Sequence, residues 1–381
     1  MKFRRNELLF FIGQLLFMIR IICVYSSLIE LSSTTQNIIL FVAEFLWTIC
    51  IIKNETNYAS LIKKLVIISI LFVNYRVAHA TSLLILFSML FASEGINERK
   101  IIKFLFTFNS TILALLITMY LLNFYMGNAL TFTTYRVLDS VKVARHSFYF
   151  NQPNGFSMAL FFTCLIYVYL NYDKVRKWKL YAIIIGASTF IYIYPNTKTI
   201  TYIGLLFVVL DILKEVPFVK PFYWLRKYIP MLCMIISIAV LLLLIRNPHG
   251  AIGSLNIWLS GRISEGAIAL RNLGVPLFGQ IVENKSNYSP VFGYYTIYLD
   301  NLYFKLLIQY GIVPTVIFIY YSCKAFKYHS KDLIKLLFLT IVFIFGFTEA
   351  TAIEIFFTFP MLFIRDSIDM NLNLLSKQKQ V

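Results

Sequence analysis

Residues 228–245 read YIPMLCMIISIAVLLLLI, without a single Asp, Glu, Lys or Arg. A helix needs roughly 20 predominantly apolar residues to cross the hydrocarbon of a bilayer, and this stretch has that length and character. Outward from it, apolar runs recur between short polar clusters. Upstream lie 7–28, 37–52, 62–76, 80–93, 101–122, 156–171, 180–195 and 199–213, and downstream 301–322, 333–348 and 350–364. Neither a 3.6-residue nor a 2.0-residue amphipathic period runs through them, as it would in a soluble chain of this size. The first run follows Lys2, Arg4 and Arg5 as a signal peptide would, but it is long and has no small-residue cleavage site, so a retained first helix is expected. The expected fold class is an all-α polytopic membrane protein with about 12 transmembrane helices in one transmembrane domain over 1–381.

Composition agrees, with 59% hydrophobic and 14% charged residues against about 25% charged in soluble domains. The formal charge of +17 would fit a nucleic-acid binder if it formed a stripe, but the basic residues lie between apolar runs and read as topology signals. With both termini placed in the cytoplasm, most of the 35 Lys and Arg residues fall inside, including Lys53, Lys63, Lys64, Arg99, Lys100, Lys174, Arg176, Lys324 and Lys327. That orientation makes the chain a multi-pass protein of the cytoplasmic membrane with two long external loops, 123–155 and 246–300. Every cytoplasmic connection is too short for a domain, so chemistry is expected outside or within the membrane. The five cysteines form no paired spacing, and His79, His146 and His249 lie at no metal-ligand spacing. No disulfide framework, catalytic metal, cofactor or nucleic acid is expected.

The first long loop ends in Lys142, Arg145, His146 and then Pro153, Asn154 and Gly155, where a new span opens. A helix start presents free N–H groups to an anion, and Arg145 lies just upstream; equally, Lys142 and Arg145 suit lipid head groups. In the second loop, Ser260, Gly261 and Arg262 open a short amphipathic helix. A cation there runs against the helix dipole, which calls for a bound phosphate or for pairing with Glu265 three residues on. Asp300, followed by Asn301 and Tyr303, stands where the chain re-enters the membrane, as a helix cap or as a half-desolvated base. Lys198 follows the turn of Pro195, Asn196 and Thr197 and serves either as a charge near substrate or as a snorkelling side chain. Arg76 and His79 occupy another tight external turn, and Glu349 and Glu354 flank the last one, as functional charges or as helix-pairing salt bridges.

Arg145 through Gly155, Pro195 to Thr199, Leu259 to Arg262 and Asp300 to Gly311 together resemble the Wzy, or O-antigen, polymerases of bacterial surface polysaccharides, which are related to the O-antigen ligases. The resemblance runs from about Lys53 to Glu349. It implies a GT-C-like membrane glycosyltransferase architecture, a polyprenyl-diphosphate-linked oligosaccharide as substrate within membrane lipid, and a chain-length regulator and a flippase of the same pathway as partners. In the related ligases a His precedes the equivalent Asn and serves as a catalytic group, so the resemblance implies that role for Asp300. The expected function is joining such repeat units on the outer face of the membrane. Arg145 and Arg262 would hold the diphosphate, Asp300 would be the base and Lys198 an auxiliary charge, with Asn154, Arg271, Asn301 and Tyr303 as further substrate-binding residues. The rivals are a flippase of lipid-linked oligosaccharide and a ligase. Against the flippase, the charges collect in two long external loops, whereas carriers keep them near the bilayer midplane.

Overall fold

The computed structural model describes residues 5–29, 31–55, 57–126, 133–138, 141–214, 225–247, 250–259, 261–283, 286–289, 293–354 and 356–368. Ser260, His249 and the basic residues Lys2, Arg4, Lys220, Lys285, Lys377 and Lys379 lie outside the described residues, as do the side chains of Arg136 and Lys142. The fold is almost entirely helical. Among the described residues, five helices are long and apolar enough to cross a membrane: Asn6–Tyr25, Ser33–Asn54, Glu98–Tyr125, Pro153–Asn171 and Leu225–Arg246.

The other expected spans take different forms. The run at 62–76 lies in a continuous helix, Tyr58–Ala78, that carries Lys63, Lys64 and Arg76. The runs at 180–195 and 199–213 form helices of 17 and 16 residues. The runs at 80–93 and 333–348 become helices of only 11 and 13 residues, short of the roughly 20 that a crossing needs. The run at 301–322 is broken, and the described residues of 350–364 form no α-helix but two 3₁₀ segments, Ala350–Ile353 and Phe359–Ser367. Hydropathy reports apolar length, and these segments are apolar because protein buries them: Leu83, Leu86, Phe338, Phe343, Phe363 and Ile364 are all fully enclosed. The chain divides into two compact units, each discontinuous in sequence.

The first unit comprises residues 1–54, 92–215 and 356–359. It contains α1 (Arg5–Tyr25), α2 (Ser33–Asn54), α5 (Glu98–Tyr125), α6 (Pro153–Asn171), α7 (Lys177–Ile193) and α8 (Lys198–Leu213). The expected loop at 123–155 contains an antiparallel hairpin, β1 (Thr133–Leu138) with β2 (Val141–His146), in register Thr134 to Arg145. Helices α7 and α8 approach closely because Gly204 faces Ser188; a Cβ on Gly204 would lie 2.1 Å from the Ser188 Oγ. Small residues at a helix contact permit this approach.

The second unit comprises residues 55–91, 216–355 and 360–381. It contains α3 (Tyr58–Ala78), α4 (Ser82–Ala92), α9 (Ile229–Arg246), α10 (Ala251–Trp258), α11 (Arg262–Leu273), α12 (Leu302–Lys305), α13 (Ile312–Tyr328) and α14 (Leu333–Phe345). A second hairpin pairs β3 (Ser286–Ser289) with β4 (Gly293–Thr296), so the described residues of 246–300 include two helices and a hairpin. Asn57 starts α3 by accepting from the Ala59 N–H at 3.0 Å, and His79 ends it in the left-handed conformation with its N–H on the Tyr75 carbonyl at 2.9 Å.

Helix α12 runs into a π-turn at Leu306–Tyr310 and stops at Gly311, where α13 begins. Such an interruption frees backbone groups that must find partners. The segment from Gly274 to Gln280 supplies them. The N–H groups of Ile312 and Val313 donate to the carbonyls of Pro276 and Leu277 at 2.9 and 3.0 Å, and the Gln280 N–H donates to the Gln309 carbonyl at 3.0 Å. The Asn74 amide of α3 closes the join, donating to the carbonyls of Phe278 at 2.8 Å and Tyr310 at 2.7 Å. Gly279 and Gly311, at φ +94° and +86°, let the two backbones touch.

Candidate functional site

In the second unit an apolar cluster of Leu241, Leu244, Ile263, Ala269, Ile297, Phe304 and Ile308 binds α9, α11 and α12 together. Gly266 on α11 takes the Phe304 ring directly against its backbone, with a Cβ there only 2.3 Å from the ring. This packing fixes Arg262 at the start of α11 relative to Asp300, which directly precedes the cap of α12.

Asn301, not Asp300, is that cap. Its side-chain oxygen accepts from the N–H groups of Tyr303 at 2.9 Å and Phe304 at 3.1 Å, and its amide donates to the Phe347 carbonyl at 2.8 Å. Asp300 is thereby left to pair with Arg262, Nε to Oδ2 at 3.4 Å, while Arg262 Nη2 meets Glu349 Oε1 at 3.1 Å. Side-chain exposures of 48% for Asp300, 14% for Arg262 and 9% for Glu349 assign the roles. Asp300 is the member that reaches the surface, and Glu349 anchors the guanidinium from within.

Two expectations change here. Where the sequence offered Glu265 or a bound phosphate to offset the cation in the first turn of α11, the structure pairs Arg262 with Asp300 and Glu349. The free N–H groups of that turn are taken by Asn256, whose side-chain oxygen accepts from Ile263 at 3.1 Å and Ser264 at 3.0 Å. Tyr303, expected to bind substrate, is fully buried, and its hydroxyl donates to the Phe343 carbonyl at 2.6 Å. Tyr303 and Asn301 therefore hold the backbone that presents Asp300. Arg271 lies nine residues beyond Arg262 on α11, which at 3.6 residues per turn is the opposite face and about 13 Å along the axis. It is exposed in the last turn, where the helix dipole favours a cation.

Glu265, one turn after Arg262, is pushed up to about 7, first by burial and then by the Asp300 charge, with Arg262 opposing both. A carboxyl raised in the fold contributes stability that is fully present below its ordinary value and is lost as pH rises through 7. Glu265→Gln, neutral throughout, should therefore melt above wild type at pH 8 by roughly 1–2 kcal/mol after allowance for solvent screening. The two should coincide near pH 5; melting curves in detergent at both pH values check this, and parallel curves at both would contradict it.

In the first unit, Arg145 at the end of β2 lies under the α7–α8 turn. Its Nε donates to the Pro195 carbonyl at 2.9 Å, and its Nη2 donates to Asn154 Oδ1 at 3.0 Å and Thr197 Oγ1 at 3.4 Å. Ser157 donates to the Thr197 hydroxyl at 3.0 Å. These bonds join Arg145 to the Pro153–Gly155 helix start, beside which the sequence placed it, and to the 195–197 turn, which the sequence did not link to it. Lys198 begins α8 beside Thr197 with its side chain exposed.

His146 meets the Tyr120 hydroxyl through Nδ1, and burial pulls its imidazole below the ordinary value. Phe148 and Tyr149 follow at φ 49° and 65°, rare for side chains of that bulk. They are held there by the end of α1: Ser27 donates to the Tyr149 carbonyl at 2.9 Å, and Asn151 donates to the Tyr25 carbonyl at 2.8 Å.

Sequence reasoning placed Glu349 at a turn but gave it no partner. The signal available was a carboxylate beside an apolar run in a chain with few acids. Arg145 and Arg262 belong to different units. Among the described residues, no group of three or more His, Cys, Asp or Glu is placed to hold a metal ion. Compared with protein-family models, curated proteins and solved structures, the chain matches none.

Proposed function

We propose that the chain is a polysaccharide polymerase joining polyprenyl-diphosphate-linked oligosaccharide repeat units on the outer face of the cytoplasmic membrane, with both termini inside. One observation carries the reading: a half-exposed carboxylate, Asp300, is freed from capping by its neighbour and held by a mostly buried arginine. A hydroxyl of one repeat unit attacks the anomeric carbon of another. The new glycosidic bond forms as the carbon–oxygen bond to the diphosphate breaks, the electron pair leaves with the diphosphate, and the hydroxyl proton passes to Asp300. General-base assistance of this kind contributes typically 10²–10⁴-fold. Arg262, paired twice with carboxylates, positions Asp300, and the resemblance to the polymerases assigns Arg145 a contact with the diphosphate. The external placement of both segments rests on the distribution of basic residues.

Deleting the gene and extracting lipid-linked intermediates tests this reading. Single repeat units should accumulate on the carrier at the outer face. Units trapped on the cytoplasmic side would identify a flippase, and full-length polymer retained on its carrier would identify a ligase.

A further inference from the structure

The stretch 247–261 lies between Arg246 and Arg262 and contains no Asp, Glu, Lys or Arg. Its helical part is α10, none of whose residues is buried. One side of α10, through Ile252 and Leu255, packs on the cluster that includes Leu241, Leu244 and Ile263. The other side carries Ala251, Ser254, Ile257 and Trp258, with Ile257 and Trp258 exposed by 79% and 65%. A surface helix facing water carries polar or charged residues on its outer side, and one that is apolar on both sides does not face water.

The neighbouring surface identifies what covers it. Helix α9 belongs to Leu225–Arg246, a helix long and apolar enough to cross a membrane, and exposes Leu242, Leu243 and Ile245 at its end. α10 starts five residues after Arg246 and rests on α9, so its outer side continues the apolar surface of a spanning helix. Tryptophan concentrates at the membrane–water interface, and the flanking arginines suit the phosphate layer of the head groups.

We infer that the Ile257–Trp258 face of α10 lies in the interfacial layer of the bilayer, with lipid rather than protein as its occupant. Asn256 of α10 caps α11, so this anchoring sets Arg262 at the depth of lipid head groups. That is the level at which a lipid-borne phosphate or diphosphate travels. The inference requires membrane embedding but not polymerisation, so its failure leaves the proposed reaction standing.

The full-length protein in lipid nanodiscs provides the test. Subtracting the emission of Trp258→Phe from that of wild type isolates Trp258 from Trp47, Trp178 and Trp224. Phospholipids brominated near the head-group end of the acyl chain should remove most of this component, and aqueous acrylamide should remove little. Ile257→Asp should shift it to longer wavelength and open it to acrylamide. Quenching by acrylamide but not by bromolipid would place the face in water. Protection from both would mean that a protein or a second copy covers it. Either result overturns the inference.

Discussion

Gly311→Ala is expected to abolish stable folding of the second unit. A Cβ on Gly311 would lie 2.4 Å from the Gly279 nitrogen and 2.8 Å from the carbonyl oxygens of Leu277 and Pro276, all backbone atoms that cannot rotate away. The residue also sits at φ +86° and ψ 176°, a region essentially confined to glycine, where another residue costs on the order of 1–3 kcal/mol before any clash. Relieving the overlap would part the Gly274–Gln280 segment from the helix break and strand the carbonyls and N–H groups it satisfies, each at about 1–3 kcal/mol. Together these exceed the roughly 5–15 kcal/mol margin of an ordinary fold at its lower end. Gly279→Ala meets the Gln309 carbonyl at 2.5 Å and the Asn74 amide at 2.6 Å and should fail in the same way. Gly186→Ala, where a Cβ meets nothing within 4 Å on α7, is the control and should be neutral or stabilising by up to about 1 kcal/mol. Detergent-solubilised yield and melting temperature of the three variants decide it, and a Gly311→Ala protein that melts like wild type would contradict the account of the break.

The same feature shows where sequence reading stops. The stretch 301–322 has the composition of one span, and Gly311 with Pro314 three residues on hints at an interruption. What turns that glycine into a break is a backbone segment some thirty residues earlier, a non-local pairing that no periodicity encodes. The runs at 80–93 and 350–364 misled for a related reason. Residues enclosed by other protein and residues facing lipid are equally apolar, so Phe87 and Phe363 cannot be told from lipid-facing side chains by hydropathy. Capping was legible in type but not in assignee: the Asp300–Asn301 pair offers two good caps, and the side-chain geometry chose Asn301. Arg145 beside the Pro153–Gly155 helix start was legible from an arginine next to turn residues, whereas its bonds to the 195–197 turn, some fifty residues on, were not. Glu349 was not, because its partner lies 87 residues away.

Asp300→Asn should remove polymerisation while leaving the fold intact, and this separates chemistry from architecture at the candidate site. The substitution keeps the shape of the side chain and leaves the Asn301 cap untouched. Glu349 continues to hold the Arg262 guanidinium, so the melting temperature should stay near that of wild type. What disappears is a carboxylate able to accept a proton, for which the expected loss is 10²–10⁴-fold in rate. The most direct measurement uses purified wild-type and Asp300→Asn protein in lipid vesicles, supplied with the lipid-linked intermediates extracted from the deletion strain. Wild type should convert them to a ladder of lengthening products, and Asp300→Asn should return them as single units. An identical ladder from both proteins would contradict the account.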